Sequence, residues 1–201
     1  MYPLFESIKI QDGRWCNTSC HQQRMRQAQL EVYGSYKQYQ LEQILIPSSF
    51  QKGIVKCRLQ YGLTLGQPQF SHYEPKAITT LQLVKGNNLD YHLKYSDRNS
   101  LQELFDQRGD CDEIIICQQG MVCDTSYSNL LFFDGRHWLT PAYPLLRGTQ
   151  RARLLDKGII HEAPITIHNL GNFSQVMLIN AMLEFDASRA IPMQAITGPR
   201  T

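Results

Sequence analysis

A chain of 201 residues has room for one domain or two small ones. Its 20 basic side chains nearly balance its 18 acidic ones, for a formal charge of +2, which argues against an electrostatic nucleic-acid binder. With 42% apolar and 19% charged residues, it has the composition of an ordinary folded protein, not a disordered or fibrous one. No stretch approaches the roughly 18 apolar residues of a membrane span. The N-terminus, MYPLFESIKIQDG, lacks the basic and apolar blocks of an export signal. A cytoplasmic protein with reduced cysteines is expected, with neither nucleic acid nor membrane as partner.

Residues 5–10 read as a strand, closed by a turn at Gly13. Ser19 and Gln22 have the spacing of a capping box and open a helix that runs toward Gly34. A second helix is predicted over 37–46, stopped by Pro47. Extended segments follow over 53–61 and 77–84. The turn formers Lys85-Gly86-Asn87-Asn88 then mark a boundary between an N-terminal lobe, 1–86, and a C-terminal lobe, 87–201.

Past the boundary, 89–94 reads as extended and 101–108 as a helix ending at Gly109. The apolar run 113–117 has the length of a buried strand. Segments 129–133 and 137–139 flank Asp134-Gly135, a hairpin signal because both residues tolerate positive φ. A helix over 149–157 is closed by Gly158. Extended stretches at 159–167 and 191–196 enclose a helical one at 173–183. The mixture is α+β in two lobes.

Four features carry possible chemistry. Lys94 stands at the end of a half-apolar extended run, where partial burial makes an amine nucleophilic, although most strand-edge lysines are solvated. Asp124, in GMVCDTSYSN, can pair with a cationic heterocycle and keep it protonated; Asp-Thr-Ser is also a common turn sequence. Gly148 precedes a helix whose first N–H groups, on Thr149 and Gln150, make a generic anion site. Arg24, one turn beyond His21, can add a bidentate fork to the same phosphate. Cys16, Cys20 and His21 have metal-like spacing but no matching second pair, so no metal is expected. An amine nucleophile, a carboxylate for a pyridinium and two phosphate anchors together are what pyridoxal 5'-phosphate requires.

The motifs Phe5-Glu6-Ser7, His21-x-x-Arg24 and Leu93-Lys94-Tyr95-Ser96-Asp97-Arg98 carry a resemblance to a known family. It continues through Gly120 to Asn129, Thr140-Pro141, Leu145 to Arg151, Asn180-Ala181-Met182 and Ile191-Pro192. In this order they resemble the class IV aminotransferase family, the fold type IV pyridoxal-phosphate enzymes. That family includes branched-chain and D-amino acid aminotransferases and aminodeoxychorismate lyases. The resemblance implies two small α/β lobes with the cofactor in the cleft between them, and a homodimer.

Carried over residue by residue, the resemblance makes Lys94 the Schiff-base lysine and the base that moves the substrate proton. Arg24 and the N–H groups of Thr149 and Gln150 would grip the phosphate. Asp124 stands where the family usually has glutamate. Arg98 resembles the arginine of the lyase branch and would face the cofactor's phenolate oxygen or a substrate carboxylate. Phe5, Glu6 and Ser7 would approach the substrate side, so Ser7 and Arg98 are the expected substrate contacts. The implied activity is that of a 4-amino-4-deoxychorismate lyase, which eliminates pyruvate to give 4-aminobenzoate for folate synthesis. The alternatives are an aminotransferase acting on branched-chain or D-amino acids and a cofactor-binding protein without turnover. The chain is short for this family, chiefly before the Phe-Glu motif and over 47–85, where substrate loops lie, so the choice of amine substrate is the least transferable property.

Overall fold

The structure, a computed structural model, describes residues 3–198. The chain forms two units. Unit 1 runs to Pro75 and takes back Leu93–Asp97; unit 2 comprises Lys76–His92 and the chain from Arg98 onward.

Unit 1 begins with β1 (Leu4–Gln11), which reverses at Asp12-Gly13 into the short β2 (Arg14–Trp15). Gly13 has φ 72°, the left-handed conformation that a glycine adopts without steric cost. Helix α1 (Thr18–Tyr33) starts from Asn17, also left-handed, whose side chain makes no capping bond, and it ends at Gly34, whose N–H bonds the Leu30 carbonyl. The capping box expected at Ser19 is therefore not used: that residue already lies inside the first turn. Strand β3 (Ile54–Tyr61) pairs antiparallel with all of β1, from Leu4 opposite Tyr61 to Gln11 opposite Ile54, and β4 (Gln69–His72) extends its far edge. The sheet order is β2-β1-β3-β4.

The core of this unit joins Leu4, Ile8 and Ile10 of β1 to Val55, Cys57, Leu59 and Tyr61 of β3 and to Met25 and Ala28 of α1. The helix predicted over 37–46 does not form; a single 3-10 turn, Leu41–Gln43, remains. A helix would put Leu41 and Leu45 on one face, but Leu45 is 85% exposed while Leu41, Ile44 and Ile46 pack on the core, a pattern that an extended chain supplies.

Leu93–Asp97 attach to the open edge of β1. The Phe5 N–H donates to the Lys94 carbonyl (3.0 Å), the Ser96 N–H donates to the Pro3 carbonyl (2.7 Å), and Leu4 bridges Tyr95. This is a two-residue edge pairing, not the strand expected over 89–94. Lys94 thus belongs to unit 1. The sequence reading put it in a C-terminal lobe beginning at 87, but the division falls between Pro75 and Lys76, and the turn at 85–88 lies inside unit 2.

Unit 2 contains β5 (Leu81–Lys85), α2 (Asn99–Phe105), β6 (Glu113–Gln118), β7 (Met121–Val122), β8 (Asn129–Phe133) and β9 (Trp138–Pro141). There follow α3 (Thr149–Asp156), β10 (His161–Ala163), β11 (Gln175–Ile179), β12 (Ile191–Pro192) and β13 (Ile196–Thr197). One sheet has the order β13-β5-β6-β7, with β5 parallel to both β6 and β13; the other has the order β10-β9-β8-β11-β12. The β8–β9 hairpin forms where predicted. Only Gly135 adopts positive φ (96°), because the Asp134 carboxylate instead accepts the N–H groups of Arg136 and His137, both at 2.7 Å. Gly158 (φ 65°) follows α3 as expected.

The helix predicted over 173–183 is β11, paired with β8 from Gln175 opposite Phe133 to Ile179 opposite Asn129. Val176 and Leu178 join a core with Leu83, Ile115 and Phe132, whereas Met177 and Ile179 pack with Leu131, Leu154 and Ile160. A strand buried on both faces has no polar alternation, so its run of apolar residues reads equally well as a helix. Among the described residues, no helix is long and apolar enough to cross a membrane.

Candidate active site

Alternation along β1 sends Leu4, Glu6, Ile8 and Ile10 toward α1 and Phe5, Ser7 and Lys9 to the opposite face. Glu6 is fully buried. It accepts Nε of Arg24 at Oε1 (2.9 Å), a terminal guanidinium nitrogen of Arg24 at Oε2, and Nδ1 of His21 at Oε2 (2.7 Å). His21 and Arg24, three residues apart on α1, share the face that makes this possible. Burial pushes the Glu6 carboxyl up, but Arg24 and His21 outweigh it and hold it at about 2. Burial also drives His21 below its ordinary value, against the pull of Glu6. An ionised carboxylate only accepts, so the neutral ring carries its proton on Nδ1.

This geometry corrects one expectation. Glu6 does not share the face of Phe5 and Ser7; it fixes the arginine and histidine of α1 from the other side of the strand. Arg24 therefore has one edge of its guanidinium, Nε and a terminal nitrogen, engaged by Glu6.

On the opposite face, the Phe5 ring lies under two cationic groups. Lys94 Nζ is 4.8 Å from the ring centroid and the Arg58 guanidinium carbon is 3.8 Å from it. Ser7 stands opposite Arg58 in the β1–β3 register. Lys94 is half-buried, and its charge is among those that depress His21.

Unit 2 carries a different arrangement around Asp124, which bridges Asn129 across a tight turn. Thr125 Oγ1 accepts the Ser128 N–H (2.9 Å), and the Thr125 N–H donates to the Ser128 carbonyl (2.9 Å). Asp124 is buried; its Oδ1 accepts Asn129 Nδ2 and its Oδ2 accepts the Leu146 N–H, each at 2.8 Å. Burial pushes this carboxyl up to about 6, because the Leu146 and Asn129 hydrogen bonds and the more distant Arg151 only partly offset it. The Arg151 guanidinium itself is engaged by the Pro141 carbonyl (2.9 Å) and Glu162 Oε1 (2.5 Å).

Gly148 sits against Asn129 so closely that an added Cβ would lie 2.0 Å from Asn129 Oδ1. It has no side chain with which to cap α3, and Thr149 and Gln150, the first residues of that helix, are buried. Arg98 donates to the Ser126 carbonyl (2.5 Å), and the buried Glu113 accepts the Ser126 hydroxyl (2.9 Å) and N–H (3.2 Å). In this structure Arg98 thus supports the turn that follows Asp124.

Unit 1 therefore carries Lys94 and Ser7 with Phe5 on one face of β1 and Arg24 with Glu6 and His21 on the other, and unit 2 brings Asp124 together with Asn129, which lies against Gly148 just before Thr149 and Gln150. Reading the sequence missed Asn129 and Glu113 as partners of this turn. An acid inside an otherwise apolar strand (EIIIC) was the available signal for Glu113. Of Cys16, Cys20 and His21, the histidine is turned to Glu6 through Nδ1. Burial pushes the thiols of Cys57 and Cys117 up to about 12 and that of Cys123 up to about 11, so they are inert packing groups.

Taken unit by unit, the chemistry suits the groups of pyridoxal phosphate: unit 1 has a lysine amine, and unit 2 has a buried carboxylate hydrogen-bonded by neutral donors, suited to a cationic ring nitrogen, and a helix N-terminus for an anion.

Comparison with known proteins agrees. The family described as amino-transferase class IV matches residues 63–187, more than half of the chain. The chain is 41% identical over 185 residues to a Haemophilus influenzae protein described only as uncharacterized, covering 90% of this chain and 98% of that one. It superposes with a TM-score of 0.87 on a provisionally named 4-amino-4-deoxychorismate lyase from Haemophilus somnus 129PT, at 37% identity, covering 92% of this chain and 98% of the other. It shares its fold with a hypothetical aminotransferase from Mycobacterium tuberculosis solved in a PLP-bound form, with TM-score 0.75, 18% identity, and coverage of 99% and 84%. The chain belongs to the class IV aminotransferase family and has the mixed α and β architecture of fold type IV. The family is pyridoxal-phosphate-dependent, and this member is an enzyme of the lyase or aminotransferase kind.

Proposed function

We propose that the protein is a 4-amino-4-deoxychorismate lyase that binds pyridoxal 5'-phosphate, eliminates pyruvate and releases 4-aminobenzoate, and so serves folate biosynthesis. The observation that carries this reading is the 37% identity, over nearly the whole of both chains, to a structure provisionally named for that activity. When bound, the cofactor supplies an electron sink for the bonds at the substrate's α-carbon.

The chain's residues then have distinct tasks. Lys94 would hold the cofactor through its amine and would serve as the base for the substrate's α-carbon proton. Phe5 packs beneath its Nζ and limits where that amine swings. Asp124, whose two oxygens are fixed by Asn129 and the Leu146 N–H, would hold the ring nitrogen protonated. The Thr149 and Gln150 N–H groups and Arg24, the latter fixed by Glu6, would be the phosphate's donors. Ser7 and Arg98 serve the substrate. The working form is a homodimer in the cytoplasm.

Incubation of the cofactor-loaded protein with aminodeoxychorismate tests the reading. Pyruvate is expected without any added keto acid. Turnover only when an amino donor is paired with a keto acid would move the assignment to aminotransferase. A protein that stays colourless after reconstitution with pyridoxal phosphate would overturn the cofactor assignment itself.

A further inference from the structure

We infer that Arg151 is a positioning residue of the cofactor site: anchored on β9 and β10, it fixes the first turn of α3 and holds its charge at a set remove from Asp124. The inference deepens the proposed function, since it rests on the reading of Asp124 and α3 as the seats of the ring nitrogen and the phosphate.

The anchor is built on a register pair. β9 and β10 run parallel, with Thr140 opposite Glu162 and Pro141 opposite Ala163. Arg151 Nε donates to Thr140 Oγ1 (3.3 Å), and one terminal nitrogen donates both to the Pro141 carbonyl (2.9 Å) and to Glu162 Oε1 (2.5 Å). Arg151 and Thr140 are buried, while the Glu162 side chain is half-exposed. An apolar side chain could seat the helix on this sheet without desolvating a cation, so a buried arginine here calls for a task beyond packing.

One task is aim. The chain between β9 and α3 is tied at Leu146, whose N–H donates to Asp124 Oδ2 and whose carbonyl accepts Asn129 Nδ2, each at 2.8 Å. Arg151 ties its far end back to the strand it has just left. Gly148, Thr149 and Gln150 lie between these two ties, so the start of α3 is held from both sides. A helix N-terminus serves an anion only while its N–H groups converge on one point.

The other task is charge. The oxygens of Asp124 are met by Asn129 and backbone N–H groups, and Arg151 acts on this carboxyl from further off, against the effect of burial. Its three acceptors keep the guanidinium from closing on Asp124 as Arg24 closes on Glu6. The carboxylate is thus biased toward its charged form without being neutralised. Of the titratable groups nearby, the Cys123 thiol is pushed up to about 11 and carries no charge at neutral pH, and Glu113 and Arg98 are turned to Ser126. Glu162 stands beyond the guanidinium and tempers its field.

Two measurements on the full chain test this. Carbon-13 NMR follows the Asp124 carboxyl without cofactor, assigned through Asp124→Asn, and absorbance titration gives the affinity for pyridoxal phosphate. The wild-type midpoint is expected at about 6. Arg151→Met should raise it by roughly 0.5–1 pH unit. Glu162→Gln leaves the arginine in place and should lower the midpoint by a smaller step, which decides the matter if Arg151→Met does not fold. Arg151→Lys keeps the charge and loses the fork, so the midpoint should stay near that of wild type while pyridoxal phosphate binds about 5- to 20-fold more weakly. Unmoved midpoints in Arg151→Met and Glu162→Gln would overturn the inference, as would full affinity in Arg151→Lys. If the wild type does not take up pyridoxal phosphate, the proposed function fails instead, and the NMR midpoints still decide whether Arg151 acts on Asp124.

Discussion

Glu6 and Asp124 are both buried carboxylates, yet their environments move them in opposite directions. Glu6 is held at about 2 and Asp124 is pushed up to about 6. The difference lies in the partners. Glu6 meets the guanidinium of Arg24 and a histidine proton within its own unit, so its charge is balanced by the fold. Among the described residues, Asp124 is hydrogen-bonded by an amide side chain and by backbone N–H groups, so burial costs it more than these neutral donors return. A carboxylate paired inside the fold is structural. One held in place but not neutralised is suited to a cation from outside, and a protonated pyridine nitrogen is such a cation.

Substitutions can break this contrast, and the largest effect is expected at Lys94. Lys94→Ala is expected to lower turnover by about 10³-fold or more, abolish borohydride fixation of the cofactor, and leave the far-ultraviolet spectrum unchanged. Glu6→Gln removes the anion from a buried ion pair and should cost about 3–5 kcal/mol in urea denaturation. Because folding lowers the pKa of Glu6, the stability it contributes is complete above its ordinary value of 4.5 and is lost as the pH falls toward 2. Glu6→Gln should therefore flatten the acid limb of a stability–pH curve.

Asp124→Asn probes the other half. In the wild type, pyridoxal-phosphate affinity should weaken as the pH falls through about 6, where Asp124 takes up its proton, and the variant should lose that inflection along with about 1.5–3 kcal/mol of binding. Without cofactor the sign reverses. A raised carboxyl pKa favours the folded state at low pH, and that contribution disappears as the pH rises from 3.8 through about 6. Gly148→Ala should cost about 1–3 kcal/mol in thermal unfolding, since the new methyl displaces an Asn129 already bonded to Asp124 and to the Leu146 carbonyl. Leu45→Ser, at an 85% exposed position, should change stability by less than about 0.5 kcal/mol.

Much of this was legible in the sequence. The β1 strand, α1, the β8–β9 hairpin and α3 with its closing glycine follow from alternation, turn residues and caps, which are local signals. The errors arose where tertiary burial decides. β11 is covered on both faces and so lost the alternation that marks a strand; the helix expected at 37–46 gave way because the core wanted Leu41, Ile44 and Ile46 together. Lys94 stands out by its motif, but its unit does not, because two hydrogen bonds and a bridge to residues 3–5 leave no trace in the neighbouring sequence. The grouping of Glu6 with Ser7 failed on a rule that was already available: adjacent strand residues point to opposite sides.

The visit of Leu93–Asp97 to the edge of β1 also bears on how the protein is made. Unit 1 is interrupted in the chain, so it cannot be completed while the chain has left the ribosome only as far as Pro75. At roughly 5–20 residues per second, the nascent unit waits a second or more for its last edge partner. During that time the N-terminal end of β1 is an unpaired strand edge, open to pairing with other chains. A fragment cut at Pro75 would retain that exposed edge permanently and would lack the lysine on which the proposed chemistry depends.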